Sequence, residues 1–260
     1  MTFDKLHGAS NDFICLIAPP GEGAAALARR LCARHTGVGA DGLLLLDTSD
    51  TADFRMIIFN ADGSRAAMCG NGIRCAVRCA VDRGLTPRLS RFSVETDAGL
   101  RSVLPRYEDG EIVSATVDMG APEILWAEQP FEIGGEVHIL TAVSMGNPHA
   151  VLFSDCDGLL RRLGPALQNH PRFPGGINLE LVQVLRPDLL RVLVWERGTG
   201  ETLACGTGAC AALAAALILG RAAPQAEVRL PGGTLVLTYR SDSGHILLTG
   251  PVTRVFTGSC

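Results

Sequence analysis

Short apolar or alternating runs recur along the whole chain, bounded by glycine, asparagine and aspartate. Such runs are typical of β-strands that end in turns, as in FICLI, GLLLLD, FRMIIF and FSVET of the first half. In each half the pattern predicts a single apolar helix, from Gly72 to about Arg83 and from Gly208 to about Leu219. The second helix is apolar on every side, which outside a membrane predicts a helix enclosed by other elements.

The two halves of the chain repeat each other at a fixed spacing. A shift of 136 residues, the distance from Cys69 to Cys205, lays DFRMIIFNADGSRAAMCGNG over LLRVLVWERGTGETLACGTG without a gap. The same shift carries Asn11 of GASNDFICLI onto Asn147 of SMGNPHAVLF. A repeat of this length indicates that one domain was duplicated, because the repeats of a solenoid are much shorter.

The duplication predicts an α+β fold made of two pseudo-symmetric domains. Each would be a curved, mostly antiparallel sheet wrapped around a central helix. We place the N-terminal half at residues 1–118, completed by residues 251–260, and the C-terminal half at residues 119–250. Pseudo-symmetry would make the N-termini of the two helices face each other across a cleft, where we expect the active site.

The composition of the chain indicates which kinds of molecule it can bind. The 260-residue chain has 23 basic and 27 acidic residues, for a formal net charge of -4, and so lacks the basic surface of a nucleic-acid-binding protein. Its longest apolar segment, residues 209–219, is shorter than the roughly 18 residues of a membrane span. Nine cysteines without disulfide spacing, and a charged N-terminus, predict a reducing cytoplasm. We therefore expect a small-molecule partner, and neither nucleic acid nor membrane.

A cysteine stands directly before Gly-x-Gly at the start of each predicted helix, Cys69 in CGNG and Cys205 in CGTG. The first N–H groups of a helix lack partners within the helix and carry partial positive charge, so they attract a carboxylate. The same charge stabilises a thiolate, the form of cysteine that acts as a base or nucleophile. A carboxylate held between two such termini would present opposite faces of its Cα to the two sulfurs. This arrangement predicts inversion of a stereocentre by deprotonation and reprotonation.

These residues also allow other interpretations. The Gly-x-Gly lacks the third glycine of a dinucleotide fold and the lysine of a P-loop, and a thiol–disulfide oxidoreductase would need Cys-x-x-Cys, which is absent. A zinc site would draw on Cys69, Cys75, Cys79, Cys205 and Cys210, but Cys75 and Cys79 lie one turn apart inside an apolar helix and not in a metal-binding turn. The cysteines interpreted as small buried hydrophobic residues are Cys15, Cys32, Cys75, Cys79, Cys156, Cys210 and Cys260.

The chain resembles the diaminopimelate epimerases over essentially its whole length. KLHGASNDF, FNADGSRAAMCGNGIRC, SMGNPHAV, GINLELV, ERGTGETLACGTGACAA and LPGGTL follow one another with the spacing of that family. The resemblance implies an enzyme that interconverts LL-diaminopimelate and the meso isomer in the synthesis of lysine and peptidoglycan precursors. It implies that no pyridoxal phosphate, metal or nucleotide is used. It also implies a homodimer of chains, each built of two pseudo-symmetric halves.

The resemblance further implies a role for each matching residue. Cys69 and Cys205 would be the two acid–base thiols, with His149 and Glu196 tuning their pKa values. Residues at the two helix starts would hold the reacting α-carboxylate: Gly70, Asn71, Gly206 and Thr207. The rest of the substrate site would be lined by Asn11, Asn60, Asn147, Asn178, Glu196 and Arg197. Independently of the family, the guanidinium of Arg197 suits a second, distal carboxylate, which it can bind through two hydrogen bonds.

Gly42 departs from the family pattern. Many members have glutamine at this position of GVGADGLLLL, and the 136-residue shift pairs it with Asn178. The missing side chain leaves the strictness of substrate choice open. The first alternative is therefore a racemase of the same fold that acts on histidine, proline or hydroxyproline. A thiol-based binding or redox protein without turnover is the second.

Overall fold

The computed structural model describes all residues from Met1 to Cys260 and divides them into two compact units. Unit 1 comprises Met1–Asp118 and Thr249–Cys260, and unit 2 comprises Met119–Leu248. The chain therefore leaves unit 1 once, forms the whole of unit 2 and then returns.

The chain forms 18 β-strands and four α-helices, and none of the four helices has the length and apolar composition needed to cross a membrane. Up to residue 118 the elements are β1 (Thr2–Gly8), β2 (Asn11–Ile17), α1 (Ala24–Cys32), β3 (Gly42–Asp47), β4 (Phe54–Asn60), β5 (Arg65–Ala66), α2 (Gly70–Asp82), β6 (Phe92–Thr96), β7 (Gly99–Glu108) and β8 (Glu111–Asp118). From residue 119 they are β9 (Glu123–Ile133), β10 (Glu136–Ser144), β11 (Pro148–Phe153), α3 (Gly158–Gln168), β12 (Asn178–Arg186), β13 (Leu189–Glu196), β14 (Gly200–Thr202), α4 (Gly206–Ile218), β15 (Gln225–Leu230), β16 (Gly233–Tyr239), β17 (Ile246–Pro251) and β18 (Thr253–Ser259).

Seven consecutive strands of each unit have the same order and the same pattern of strand directions, and unit 1 adds β8 as an eighth. In unit 1 the order is β18-β1-β2-β3-β4-β6-β7-β8, with parallel pairing of β2 with β3 and of β4 with β6. In unit 2 the order is β9-β10-β11-β12-β13-β15-β16, with parallel pairing of β11 with β12 and of β13 with β15. The other pairings in these two series are antiparallel, and the predicted α+β duplication is confirmed.

The central helices α2 and α4 are equivalent, because the 136-residue shift maps both ends of one onto the ends of the other. α2 packs against β1–β4, β7 and β8, and α4 packs against β9–β13 and β16. Every residue from Gly208 to Ala216 is buried, which confirms the predicted enclosure of α4. Both helices begin two residues before the predicted start, since their caps are Cys69 and Cys205 and the first glycine after each cap is already helical.

Each half also has a second helix, so the prediction of one helix per half was wrong. α1 packs against β3 and β4, and α3 packs against β12 and β13. Leu31 of α1 shares a core with Leu43 and Leu45 of β3, whereas Leu44 between them lies beside Gly72 of α2. β3 is therefore covered on both faces, which explains its uninterrupted apolar sequence.

The interpretation of seven cysteines as small buried residues was correct for five of them and wrong for Cys156 and Cys260, which are exposed. Cys156 lies in the loop between β11 and α3, and Cys260 follows β18. Both positions are outside the helices and strands that build the cores.

Gly164 tests how closely α3 packs on the sheet. A β-carbon at this position would lie 2.4 Å from two ring atoms of Trp195 in β13. We expect Gly164→Ala to lower the free energy of unfolding by about 1–3 kcal/mol, because helix and ring must move apart. Gly158→Ala in the first turn of α3, where a β-carbon would meet nothing within 4 Å, is the matched control. Urea unfolding followed by circular dichroism measures both, and equal stability of the two variants would contradict this packing.

Candidate functional site

In unit 1 the sulfur of Cys69 closes the start of α2. Cys69 is the N-cap, and its Sγ accepts a hydrogen bond from the N–H of Gly72 at 3.4 Å. The same Sγ lies 3.7 Å from Oδ1 of Asn11, which also accepts from Nδ2 of Asn71 at 3.2 Å. Nδ2 of Asn11 donates in turn to Oδ2 of Asp41 at 2.9 Å. The structure thus brings the predicted residues Asn11, Cys69 and Asn71 together in one hydrogen-bonded group.

Arg74 fixes the first turn of α2 from within the core. Its side chain is completely buried and donates to the carbonyl of Gly70 at 2.9 Å and to Oδ1 of Asn71 at 2.8 Å. Both groups belong to the segment expected to hold a carboxylate. Arg74 was not among the residues predicted from the sequence, although a guanidinium inside an enclosed helix must find buried partners.

Asn60 stands apart from the group around Cys69. It is exposed, and its Nδ2 donates to Oγ of Ser64 at 2.9 Å. Across the β3–β4 ladder it pairs with Gly42. A β-carbon at position 42 would lie 2.8 Å from the carbonyl oxygen of Phe59. A side chain at this position, such as the glutamine that many family members have, would therefore require the backbone to shift.

In unit 2 Cys205 caps α4 in the same way. Its Sγ lies 3.4 Å from Oγ1 of Thr207, and that hydroxyl lies 3.5 Å from Nδ2 of Asn147. The 136-residue shift relates this contact between Asn147 and Thr207 to the contact between Asn11 and Asn71. The duplication therefore extends from the backbone to the side chains around each sulfur.

Burial dominates the ionisation of Cys205. Burial raises the pKa of the Cys205 thiol well above its usual value, and the negative charges of Glu196 and Glu180 raise it further. Hydrogen bonds from Thr207 and from the N–H of Gly208 act in the opposite direction and lower this pKa. The sequence predicted a stabilised thiolate at the helix start. The stabilising contacts are present at Cys205, but burial outweighs them.

His149 is linked to Cys205 through intervening side chains. Its Nε2 lies 3.1 Å from Oδ1 of Asn147, and its Nδ1 lies 2.7 Å from Oε1 of Glu180. The side chains of His149 and Glu180 are both completely buried. Glu180 was not among the residues predicted from the sequence, where its signal was a single carboxylate inside the apolar run of β12.

Asn178, Glu196 and Arg197 lie together where β12 begins and β13 ends. Oδ1 of Asn178 accepts from the backbone N–H of Arg197 at 2.8 Å, and its Nδ2 donates to the carbonyl of Pro148 at 2.9 Å. Oε1 of Glu196 accepts from the hydroxyl of Thr202 at 2.5 Å. The guanidinium of Arg197 is exposed and donates to a backbone carbonyl, so it remains able to bind an anion.

Neither unit groups three or more His, Cys, Asp or Glu side chains as ligands for a metal ion. A cavity of about 340 Å³ in unit 2 is lined in part by Glu128, His138 and Arg221, and no candidate site residue borders it. The candidate chemistry is therefore concentrated at the two cysteine-capped helix starts and the side chains bonded to them.

Comparisons with known proteins point to one family. A family profile described as diaminopimelate epimerase matches residues 3–125 and 141–255. The diaminopimelate epimerase of Synechococcus sp. (strain JA-3-3Ab) is 44% identical over 100% of this chain and 98% of its own length. That of Desulforudis audaxviator (strain MP104C) is 46% identical over 99% of this chain and 98% of its own length.

Solved structures with lower sequence identity share the fold. A probable proline racemase from Agrobacterium radiobacter K84 with bound carbonate has a TM-score of 0.78 at 16% identity, covering 100% of this chain and 92% of that chain. A hydroxyproline epimerase from Agrobacterium vitis with bound trans-4-hydroxy-L-proline has a TM-score of 0.76 at 19% identity, covering 99% of this chain and 91% of that chain. Identities this low show a common architecture and nothing about the substrate.

The two helical glycines that donate to sulfur offer a matched test of the site. A β-carbon at Gly208 would lie 2.5 Å from Oε1 of Glu180, whereas one at Gly72 would meet Leu44 and Cys69 at an ordinary 3.4 Å. We expect Gly208→Ala to lower the free energy of unfolding by about 1–3 kcal/mol through overpacking. Gly72→Ala should be neutral or stabilise by up to about 1 kcal/mol, because alanine favours helix. Thermal unfolding of both variants checks this, and a stable Gly208→Ala protein would show that the carboxylate is not seated there.

Proposed function

The chain belongs to the diaminopimelate epimerase family, and on that premise we propose that it interconverts LL-2,6-diaminopimelate and meso-diaminopimelate by proton transfer at one Cα. The observation that carries this proposal is the repetition of one arrangement. In each half a cysteine caps a helix, and an asparagine from outside the helix contacts the second helical residue. Two acid–base groups, one on each face of a carbon, can invert it by removing a proton from one face and returning a proton to the other.

In the proposed reaction one sulfur is the base and the other is the acid. A thiolate removes the Cα proton, and the electron pair of the broken C–H bond spreads into the α-carboxylate. The thiol on the opposite side then gives its proton to the other face of the carbon. Each turnover moves the negative charge from one sulfur to the other, so the reverse reaction uses the same pair with exchanged roles.

The surroundings of Cys205 suit it to be the acid at rest. Burial and two nearby carboxylates raise the pKa of its thiol, so the protonated form is favoured. We assign the role of resting base to Cys69. This exchange requires that both sulfurs reach the same substrate carbon.

The helix starts also supply the groups that bind the reacting carboxylate. We assign this role to the first two residues of each helix, Gly70 with Asn71 and Gly206 with Thr207. Their N–H groups and the positive ends of the helices would stabilise the negative charge that develops on the carboxylate. Preorganised donors of this kind contribute roughly 3–4 kcal/mol each to stabilisation of a transition state.

The rest of the substrate would be held by polar side chains around these starts. We assign the distal carboxylate to Arg197, which is exposed and has no acidic partner of its own. Asn11, Asn60, Asn147, Asn178 and Glu196 would complete the site. The homodimer is proposed on the family resemblance alone, and the cytoplasmic location on the nine cysteines without disulfide spacing.

Deuterium exchange tests the reaction and the roles of the two thiols. With LL-diaminopimelate in deuterium oxide we expect solvent deuterium at Cα of the product, detected by mass spectrometry, because the donated proton comes from a thiol that exchanges with water. Cys69→Ala and Cys205→Ala should each abolish inversion. Cys156→Ser, which alters an exposed thiol outside both groups, is the control and should retain activity. Inversion at the wild-type rate in both alanine variants would refute the mechanism.

Proline, hydroxyproline and histidine in the same assay test the alternative substrates.

Arg197 can be tested separately through substrate binding. We expect Arg197→Gln to raise KM for diaminopimelate by about 10- to 100-fold, because a charge-assisted hydrogen-bonded pair contributes roughly 1.5–3 kcal/mol. Arg186→Gln removes an exposed arginine that already pairs with Asp188, and it should leave KM unchanged. Steady-state kinetics of the two variants decide the point. An unchanged KM in Arg197→Gln would mean that the distal carboxylate is bound elsewhere.

A further inference from the structure

A continuous polar chain links the buried carboxylate of Glu180 to the sulfur of Cys205. Glu180 Oε1 lies 2.7 Å from Nδ1 of His149, and Nε2 of that ring lies 3.1 Å from Oδ1 of Asn147. Nδ2 of Asn147 lies 3.5 Å from Oγ1 of Thr207, which lies 3.4 Å from Sγ of Cys205. All five residues belong to unit 2.

The first half builds the same fold without this buried pair. The 136-residue shift maps Phe13 onto His149 and Leu44 onto Glu180. Phe13 and Leu44 pack against Gly72 at the start of α2, so an apolar pair fills the space under one helix and a polar pair fills it under the other. The architecture therefore does not require a carboxylate at this position.

A gain in stability does not explain the burial of a carboxylate at position 180 either. A buried polar or ionic pair is often no more stabilising than an apolar pair of similar volume. One oxygen of this carboxylate, Oε2, is buried and has no hydrogen-bond partner, which costs stability. Glu180 is thus a costly group placed beneath one of the two thiols, and its remaining contacts lead toward that thiol.

We propose that Glu180 is a positioning residue for Cys205, which it influences by fixing His149 and, through Asn147, by holding the hydroxyl of Thr207 at the sulfur. The carboxylate of Glu180 and the amide oxygen of Asn147 only accept hydrogen bonds, so His149 must donate to Glu180 from Nδ1 and to Asn147 from Nε2. The inference rests on the proposed function, in which Cys205 is one of the two acid–base thiols. Because the first half has Leu44 at the equivalent position, the arrangement acts on one thiol only.

Kinetics of two variants at Glu180 separate positioning from packing. Glu180→Leu, which copies the first half, should lower kcat on diaminopimelate by more than about tenfold while changing KM by less than about twofold. Glu180→Gln keeps an oxygen acceptor for Nδ1 of His149 and should retain at least about a third of kcat. Leu44→Met is the matched, volume-conserving control at the equivalent position of the first half, and it should leave kcat unchanged.

The double variant His149→Phe with Glu180→Leu distinguishes a loss of positioning from a folding defect. It copies the Phe13 and Leu44 pair that the same fold accepts in the other half, so it should melt at or above the wild-type temperature. Its kcat should nevertheless be at least as low as that of Glu180→Leu. A folded double variant with wild-type kcat would overturn the proposal, and so would Glu180→Leu with wild-type kcat.

A spectroscopic measurement tests, without turnover, whether Glu180 fixes the ring of His149. In protein with 15N-labelled histidine, a long-range proton–nitrogen correlation spectrum reports which ring nitrogens carry protons. Among the six histidines, His149 is assigned by its loss in the double variant. Its Nδ1 should carry a proton in wild type and in Glu180→Gln, and it should lose this proton in Glu180→Leu, where no acceptor faces it. A His149 ring unchanged in Glu180→Leu would overturn the inference. If the wild-type protein fails to epimerise diaminopimelate, the proposed function fails, and this spectrum still decides whether Glu180 fixes the ring.

Discussion

The hydrogen bond from a helical N–H to a cysteine sulfur is the interaction around which both candidate sites are built. Gly72 donates to Cys69, and Gly208 donates to Cys205. Each bond places a thiol at the start of a helix that its own sheet encloses. The position of the sulfur is therefore determined by the packing of the core. This explains why a site made of few residues needs a large rigid scaffold.

The duplicated halves share one backbone fold, but the side chains beneath their central helices differ in polarity. Phe13 and Leu44 surround the start of one helix with apolar atoms. His149 and Glu180 place a polar pair under the other, and the charge of Glu180 adds to burial in raising the pKa of Cys205. A reaction that takes a proton on one side of a carbon and returns one on the other benefits from this difference, because at any moment one thiol must be charged and the other neutral.

Much of this architecture could be read from the sequence. The 136-residue repeat revealed the duplication, and the apolar run after Cys205 predicted an enclosed helix. α3 escaped detection because Gly164 and Pro165 within it resemble a turn. Asn11, Asn147 and both cysteines were found through the repeat, whereas Glu180 was missed because it breaks the repeat. The depth at which Cys205 is buried depends on the whole sheet, so local sequence could not reveal the direction of its pKa shift.

The path of the chain has a consequence for biosynthesis. Strand β1 pairs with β2 on one side and with β18 on the other, and the backbone N–H of Cys260 donates to the carbonyl of Met1 at 2.9 Å. Residues 119–248 are synthesised before β18 and leave the ribosome before it. Unit 2, although later in the sequence than most of unit 1, can thus finish folding first. Until β18 has left the ribosome and paired, β1 remains an open sheet edge that is exposed to pairing with other nascent chains.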